Sequence, residues 1–204
     1  VTTEYVNTGE TSVVEYGPYE TQGSWIANVP SWIKKTNNRN QHTFSATTDY
    51  NYNSKGQVTE EIIFFNLATE KQITTEYEYN TQHGNLIKTT VSNPDLETKT
   101  ARIEYDNKGR FPIKKYNALD QREEFTYDNR WGKPVTAKSI SGLITSFEYD
   151  GFGSLKKTTD PHGIAATVSN NWSIGSVEHA VYFSKTTKQG TPEGIVVYDA
   201  FGRS

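Results

Sequence analysis

A chain of 204 residues is long enough for one large core or two small ones, yet only 33% of it is hydrophobic while 13% is aromatic. Disordered chains are poor in aromatics and often strongly charged, so a net charge of -3 argues against disorder. No Lys/Arg cluster exceeds a pair, which leaves no basic patch for nucleic acid, and the lack of cysteine removes disulfides and thiolate metal sites.

No apolar run approaches the roughly 18 residues of a membrane span, and no charged segment with an apolar run behind it opens the chain. With Val1 first and Asp199-Ala200-Phe201-Gly202-Arg203-Ser204 stopping just after a turn, the sequence is expected to be an internal section or a processed product, cut where another strand would begin.

Residues 1–47 do not follow the pattern of the rest and are expected to form an irregular β segment. Ser12 to Tyr16 reads as a strand ending at the turn signal Gly17-Pro18. Trp25-Ile26 and Trp32-Ile33 bracket Val29-Pro30, and Lys34 to Gln41, polar and Asn-rich, reads as an exposed loop.

Residues 48–204 are regular. Tyrosines at 52, 79, 105, 127 and 149 stand roughly 22 to 27 residues apart, a solenoid-like period, and Tyr198 repeats the motif. Before each, residues alternate: Tyr50 and Tyr52, Tyr77 and Tyr79, Ile103 and Tyr105, Phe125 and Tyr127, Phe147 and Tyr149, Val196 and Tyr198. Residues two apart in a strand share a face, so each copy puts an apolar or aromatic pair on one side, facing a core. Asn51, Glu78, Glu104, Thr126, Glu148 and Val197 then point mostly to water.

Each tyrosine is followed by a turn: Asp106 to Gly109, Asp128 to Gly132 (one residue longer), Asp150 to Gly153 and Asp199 to Gly202. Asp at the first position bonds back to the backbone, and Gly at the close accepts the positive φ that a type I turn with a following bulge requires. Asn53 with Gly56 and Asn80 with Gly84 are looser copies. Asp160-Pro161-His162-Gly163, with Ser139 to Gly142 and Asn93-Pro94-Asp95, provides the return turn. Trp172 occupies the place of a missing tyrosine. The expected fold is all-β: a curved antiparallel sheet of consecutive hairpins with about twelve or more strands.

The repeat Tyr-Asp-x-x-Gly-Arg, seen at Tyr105-Asp106 with Gly109-Arg110, Tyr149-Asp150 with Gly153 and Tyr198-Asp199 with Gly202-Arg203, together with Asp160-Pro161-His162-Gly163, resembles the YD-repeat, or Rhs, family. Tyr127-Asp128 with Gly132 belongs to the same series. The resemblance covers about three quarters of the chain, and the Asn-bearing first two copies depart from it. It implies large secreted or cell-surface proteins, among them bacterial polymorphic toxins and insecticidal toxin subunits, whose repeats build a spiralling β-sheet shell around a C-terminal effector. The segment that frees the effector, with its paired aspartates, has no counterpart in these residues. The expected partners are therefore further repeats and an effector of the same parent protein, and this chain would be a section of the wall.

Nothing supplies a nucleophile–base pair, so no enzyme, cofactor or metal site is expected. His42, His83, His162 and His179 are scattered, and no loop carries the alternating oxygen ligands of a calcium site. Asn171-Trp172-Ser173 fits a glycosylation sequon. A second functional expectation is a carbohydrate-binding or adhesion module using exposed aromatics, with Trp25, Trp32 and Trp131 as candidates; the alternative role for these rings is packing.

Overall fold

The computed structural model describes residues 2–7, 10–22, 26–39, 42–65, 72–172 and 179–204, and no helix occurs among them. The chain divides into two units, residues 1–103 with 116–120 and residues 104–115 with 121–204.

The first unit is built from β1 (Thr2–Asn7), β2 (Glu10–Tyr16), β3 (Tyr19–Gln22), β4 (Ile26–Pro30), β5 (Trp32–Arg39), β6 (His42–Tyr52), β7 (Val58–Phe65), β8 (Gln72–Tyr79), β9 (Leu86–Asn93) and most of β10 (Leu96–Tyr105). Its sheet runs in the order β1-β2-β5-β6-β7-β8-β9-β10, while β3 and β4 pair separately. The second unit carries β11 (Pro112–Tyr116), β12 (Arg122–Asp128), β13 (Lys133–Lys138), β14 (Ile144–Tyr149), β15 (Leu155–Thr159), β16 (Ala165–Trp172), β17 (Tyr182–Lys188) and β18 (Gly194–Tyr198), neighbours in sequence order. Adjacent strands pair antiparallel, so the expected architecture of consecutive hairpins, with more than twelve strands, is the one observed.

The loop expected over 34–41 is instead strand β5 for as far as it is described, and residues 40 and 41 lie outside the described residues. Its polar side chains are satisfied across the ladder rather than by water alone. Ser12 Oγ donates to Asn37 Oδ1 at 2.8 Å, Asn38 Nδ2 to Thr11 Oγ1 at 3.1 Å, and Lys34 pairs with Glu15 at 3.5 Å. Cross-strand partners override the weak strand propensity of Asn. Strand β6 then passes residue 47 without a break.

The tyrosines do not face a core as expected, since no described hydrophobic side chain is buried. Tyr50, Tyr52, Tyr77, Tyr79, Tyr105, Tyr127, Tyr149 and Tyr198 are half-buried, shielded by neighbours along their own sheet. The intervening Asn51, Glu78, Glu104, Thr126 and Glu148 are exposed as the alternation predicts. Val197 is the exception: it lies opposite Phe183 and is half-buried, while Val196 is 44% exposed. An apolar partner shields Val197, whereas Val196 faces Ser184.

Candidate functional site

The repeat motif turns out to be a connecting device made of three parts. The first is the turn. Asp106 Oδ1 accepts from the amides of Arg110 and Phe111 at 2.6 and 3.2 Å, Asp150 Oδ1 from Phe152 and Ser154 at 2.9 and 2.8 Å, and Asp199 Oδ1 from Phe201 and Arg203 at 2.8 and 3.0 Å. Asp128 and the return-turn Asp160 do the same, so these aspartates fold the chain back on itself, with Pro161 exposed at the tip of its turn. Gly109, Gly132, Gly153, Gly163 and Gly202 close the turns with φ between 65° and 82°. One return turn escaped notice in the sequence because it has no glycine: Asn117 to Asp120 closes on Asp120 itself, at φ 58°, and Asp120 pairs with Arg102.

The second part is a bulge. Tyr52, Tyr79, Tyr127 and Tyr149 stand opposite Val58, Leu86, Pro134 and Leu155, and a register shift there leaves Thr59, Ile87, Val135 and Lys156 unpaired. The third part is the tyrosine of the following copy. Tyr79 Oη donates to the Val58 carbonyl at 2.7 Å, Tyr127 to Pro112 at 3.0 Å and Tyr149 to Pro134 at 2.7 Å, while Tyr52 reaches Pro30 at 2.9 Å. A bulge disrupts the ladder locally, and at Val58 and Pro134 the next repeat's hydroxyl supplies a partner for the carbonyl beside it. The tyrosines thus form a ladder of hydroxyl–carbonyl bonds, with ring stacking added at Phe111–Tyr127 (4.9 Å) and Tyr182–Tyr198 (4.7 Å).

Electrostatics suits these roles. Burial pushes the hydroxyls of Tyr79, Tyr127 and Tyr149 up from their ordinary value, so they remain protonated donors. Tyr77 rises to about 12, through burial and then through its 3.0 Å bond to Glu61. Asp128 is held at about 2 by the Arg130 side chain and amide. Around Asp106, burial acts upward but is outweighed by the Arg110 and Phe111 amides and the Arg110 guanidinium. Arg110 also reaches Asn129 Oδ1 of the next turn at 3.2 Å, and Arg203 closes on Asp199 at 2.7 Å. The arginine of the motif is therefore a clamp on its own aspartate, a role the sequence pattern did not disclose.

The opposite face carries cross-strand polar pairs: Lys88 with Glu78 (2.7 Å) in the first unit, and in the second Lys114 with Glu104 (2.7 Å), Lys157 with Glu148 (2.8 Å), Thr126 with Thr136 (2.6 Å) and Thr167 with Thr187 (2.6 Å). Each exposed ion pair contributes about 0–1 kcal/mol.

Of the candidate ligand-facing tryptophans, Trp25 lies outside the described residues. Trp32 covers Gly17, where a methyl would sit 2.7 Å from Trp32 Cε2, and Trp131 covers Gly153 in the same way at 2.7 Å from Cδ2. Both rings thus spend a face on packing, although Trp131 remains 38% exposed. More open rings belong to Phe152 (90% exposed), Phe201 (84%) and Trp172 (77%). What the covered tryptophans share is a glycine beneath the ring, Gly17 under Trp32 and Gly153 under Trp131. His83, His162 and His179 are exposed, nothing is described of the His42 side chain, and no group of three metal-ligating side chains occurs among the described residues. Among the described residues no helix is long and apolar enough to cross a membrane. No protein-family model matches the chain, and no curated protein matches it.

Proposed function

We propose that this chain is a non-catalytic structural section of a larger secreted or cell-surface repeat protein of YD/Rhs type, a stretch of β-sheet wall that encloses or presents another polypeptide. The observation that supports this reading is the combination, within each unit, of hydrogen-bonded antiparallel hairpins with no buried hydrophobic side chain among the described residues. Within each unit the hydroxyl–carbonyl bonds and clamped turns hold hairpin to hairpin, so neighbouring hairpins are specified without a buried core among the described residues. Its tyrosine-bearing face keeps apolar area that folding of these residues leaves wet, and burial of that area is worth about 25 cal/mol per Å² once something covers it.

Cross-linking in the parent polypeptide tests the proposal. Thr145 and Thr158 share the tyrosine face through their partners Ala137 and Phe147, whereas Thr136 and Thr167 lie on the other side. A photoreactive residue at Thr145 or Thr158 should capture another segment of the parent protein, and one at Thr136 or Thr167 should not. Capture from the polar face alone, or from neither, would overturn it.

A further inference from the structure

Within the second unit, Phe152, Trp172 and Tyr182 flank an open cleft of about 390 Å³ whose remaining lining is Asp150, Ser154, Asn170 and Asn171. From this arrangement we propose that the cleft binds a neutral saccharide of one or two pyranose rings. The cleft lies on the tyrosine face, Trp172 standing opposite Tyr182 and Tyr182 opposite Tyr198, so a sugar and the covering segment of the wall reading occupy the same face. The experiment uses this chain by itself, where failure to bind sugar leaves the wall reading untouched.

Three observations carry it. Phe152 and Trp172 are 90% and 77% exposed, far more than the rings that pack on glycines, so their faces are available for stacking. A pyranoside offers an apolar C–H face to such a ring and hydroxyls around its rim, an amphipathic shape that suits aromatics flanked by polar groups. Next, the polar lining is under-used. Asp150 spends Oδ1 on the turn amides and keeps Oδ2, while Asn171 turns its side chain to the other face of the strand, where it donates to Ser169. Asn170, the Ser154 hydroxyl and the Tyr182 hydroxyl have no side-chain hydrogen bond among the described residues. The Asp150 carboxylate, the Asn170 amide and the two hydroxyls together supply both acceptors and donors, as vicinal hydroxyls require.

Third, charge selects among ligands. The lining holds one carboxylate and no lysine, arginine or histidine, which disfavours phosphates, sulfated chains and nucleic acid. The volume falls inside the range of roughly 300–1,000 Å³ seen for small-molecule sites, though an open cleft of this kind makes a weak site rather than an enclosed one. Binding in the millimolar range is expected, as for a shallow site with two stacking faces.

The test uses the whole chain made in a bacterial host, so that Asn171 stays unglycosylated. Lactose, cellobiose, maltose and N,N′-diacetylchitobiose are each titrated while saturation-transfer NMR and tryptophan fluorescence are recorded. At least one should bind saturably, with transfer strongest to its ring C–H protons. Trp172→Ala should weaken it about tenfold and Phe152→Ala several-fold. Asn170→Ala should act in the same direction, and Leu119→Ala, in the other unit, should change nothing. Phe152 is so exposed that its replacement leaves folding intact, which keeps the test valid even if Trp172→Ala unfolds. The proposal fails if none of the four sugars binds, or if binding survives Phe152→Ala and Trp172→Ala undiminished. It also fails if sedimentation shows that these substitutions abolish self-association without any effect of sugar, because the rings would then be a contact between copies.

Discussion

Gly153 and Gly163 have nearly the same backbone, φ 81° and 82°, but opposite surroundings. A methyl built on Gly163 meets nothing within 4 Å, whereas on Gly153 it would lie 2.7, 2.9 and 3.1 Å from three atoms of the Trp131 indole. Comfortable carbon–carbon contact is about 3.5–4.0 Å, so the ring must move or the turn must open. Gly163→Ala therefore reports the left-handed backbone alone, roughly 1–2 kcal/mol less about 0.4–1 kcal/mol recovered from a stiffer unfolded chain. Gly153→Ala adds overpacking of about 1–3 kcal/mol to the same backbone cost, which places it at roughly 1–4.5 kcal/mol. The excess should vanish in the Trp131→Ala background, giving a coupling of about 1–3 kcal/mol in a double-mutant cycle. A ladder of hairpins need not unfold in one step, so the urea midpoint is read together with hydrogen exchange at the Ser154 amide, which is bonded to Asp150. Equal costs for Gly153→Ala and Gly163→Ala, or additivity in the cycle, would refute the seating of Trp131 on Gly153.

The hydroxyl–carbonyl bonds make a second prediction: Tyr149→Phe and Tyr79→Phe, which remove 2.7 Å bonds, should each cost about 0.5–1.5 kcal/mol by denaturant midpoint with rings and registers unchanged by NMR. For Asp128, depressed to about 2, the sign follows from the charged form being favoured in the folded protein. Its stabilisation is present above the ordinary carboxylate value of 3.8 and disappears as pH falls through about 2, and Arg130→Ala should raise the carboxyl pKa seen by carbon NMR titration. Tyr77 behaves in the opposite sense, since its folded value is raised from 10.0 to about 12. Stability from this group is complete below pH 10.0 and is lost as pH rises through about 12; Glu61→Gln should lower the midpoint of tyrosinate absorbance for Tyr77, and an unchanged midpoint would count against the Glu61 bond.

Much of the local structure was legible because it depends on short stretches of chain. Period-two alternation placed the strand before each tyrosine, and Asp with Gly three or four residues on placed the turn and its bulge, since an Asx turn and a positive φ are settled by residues within a few positions. Where a strand is polar the same reasoning failed: Lys34 to Arg39 looks like a loop until Ser12, Thr11 and Glu15 arrive opposite it. The Asn117 to Asp120 turn was missed for the converse reason, an aspartate standing in the position usually held by glycine.

What the chain alone determined, then, is the repeat itself, a strand ending in tyrosine, a clamped turn and a return, because each step is local chemistry. Only the tertiary structure decided what the tyrosines do. Their hydroxyls reach carbonyls 15 to 22 residues away, and no periodicity reveals that two of those carbonyls, of Val58 and Pro134, stand beside a register shift. It also decided which rings are covered. Trp131 and Phe152 each precede a turn glycine, yet Trp131 lies on Gly153 while Phe152 stands open, because stacking depends on what the next hairpin places beneath the ring.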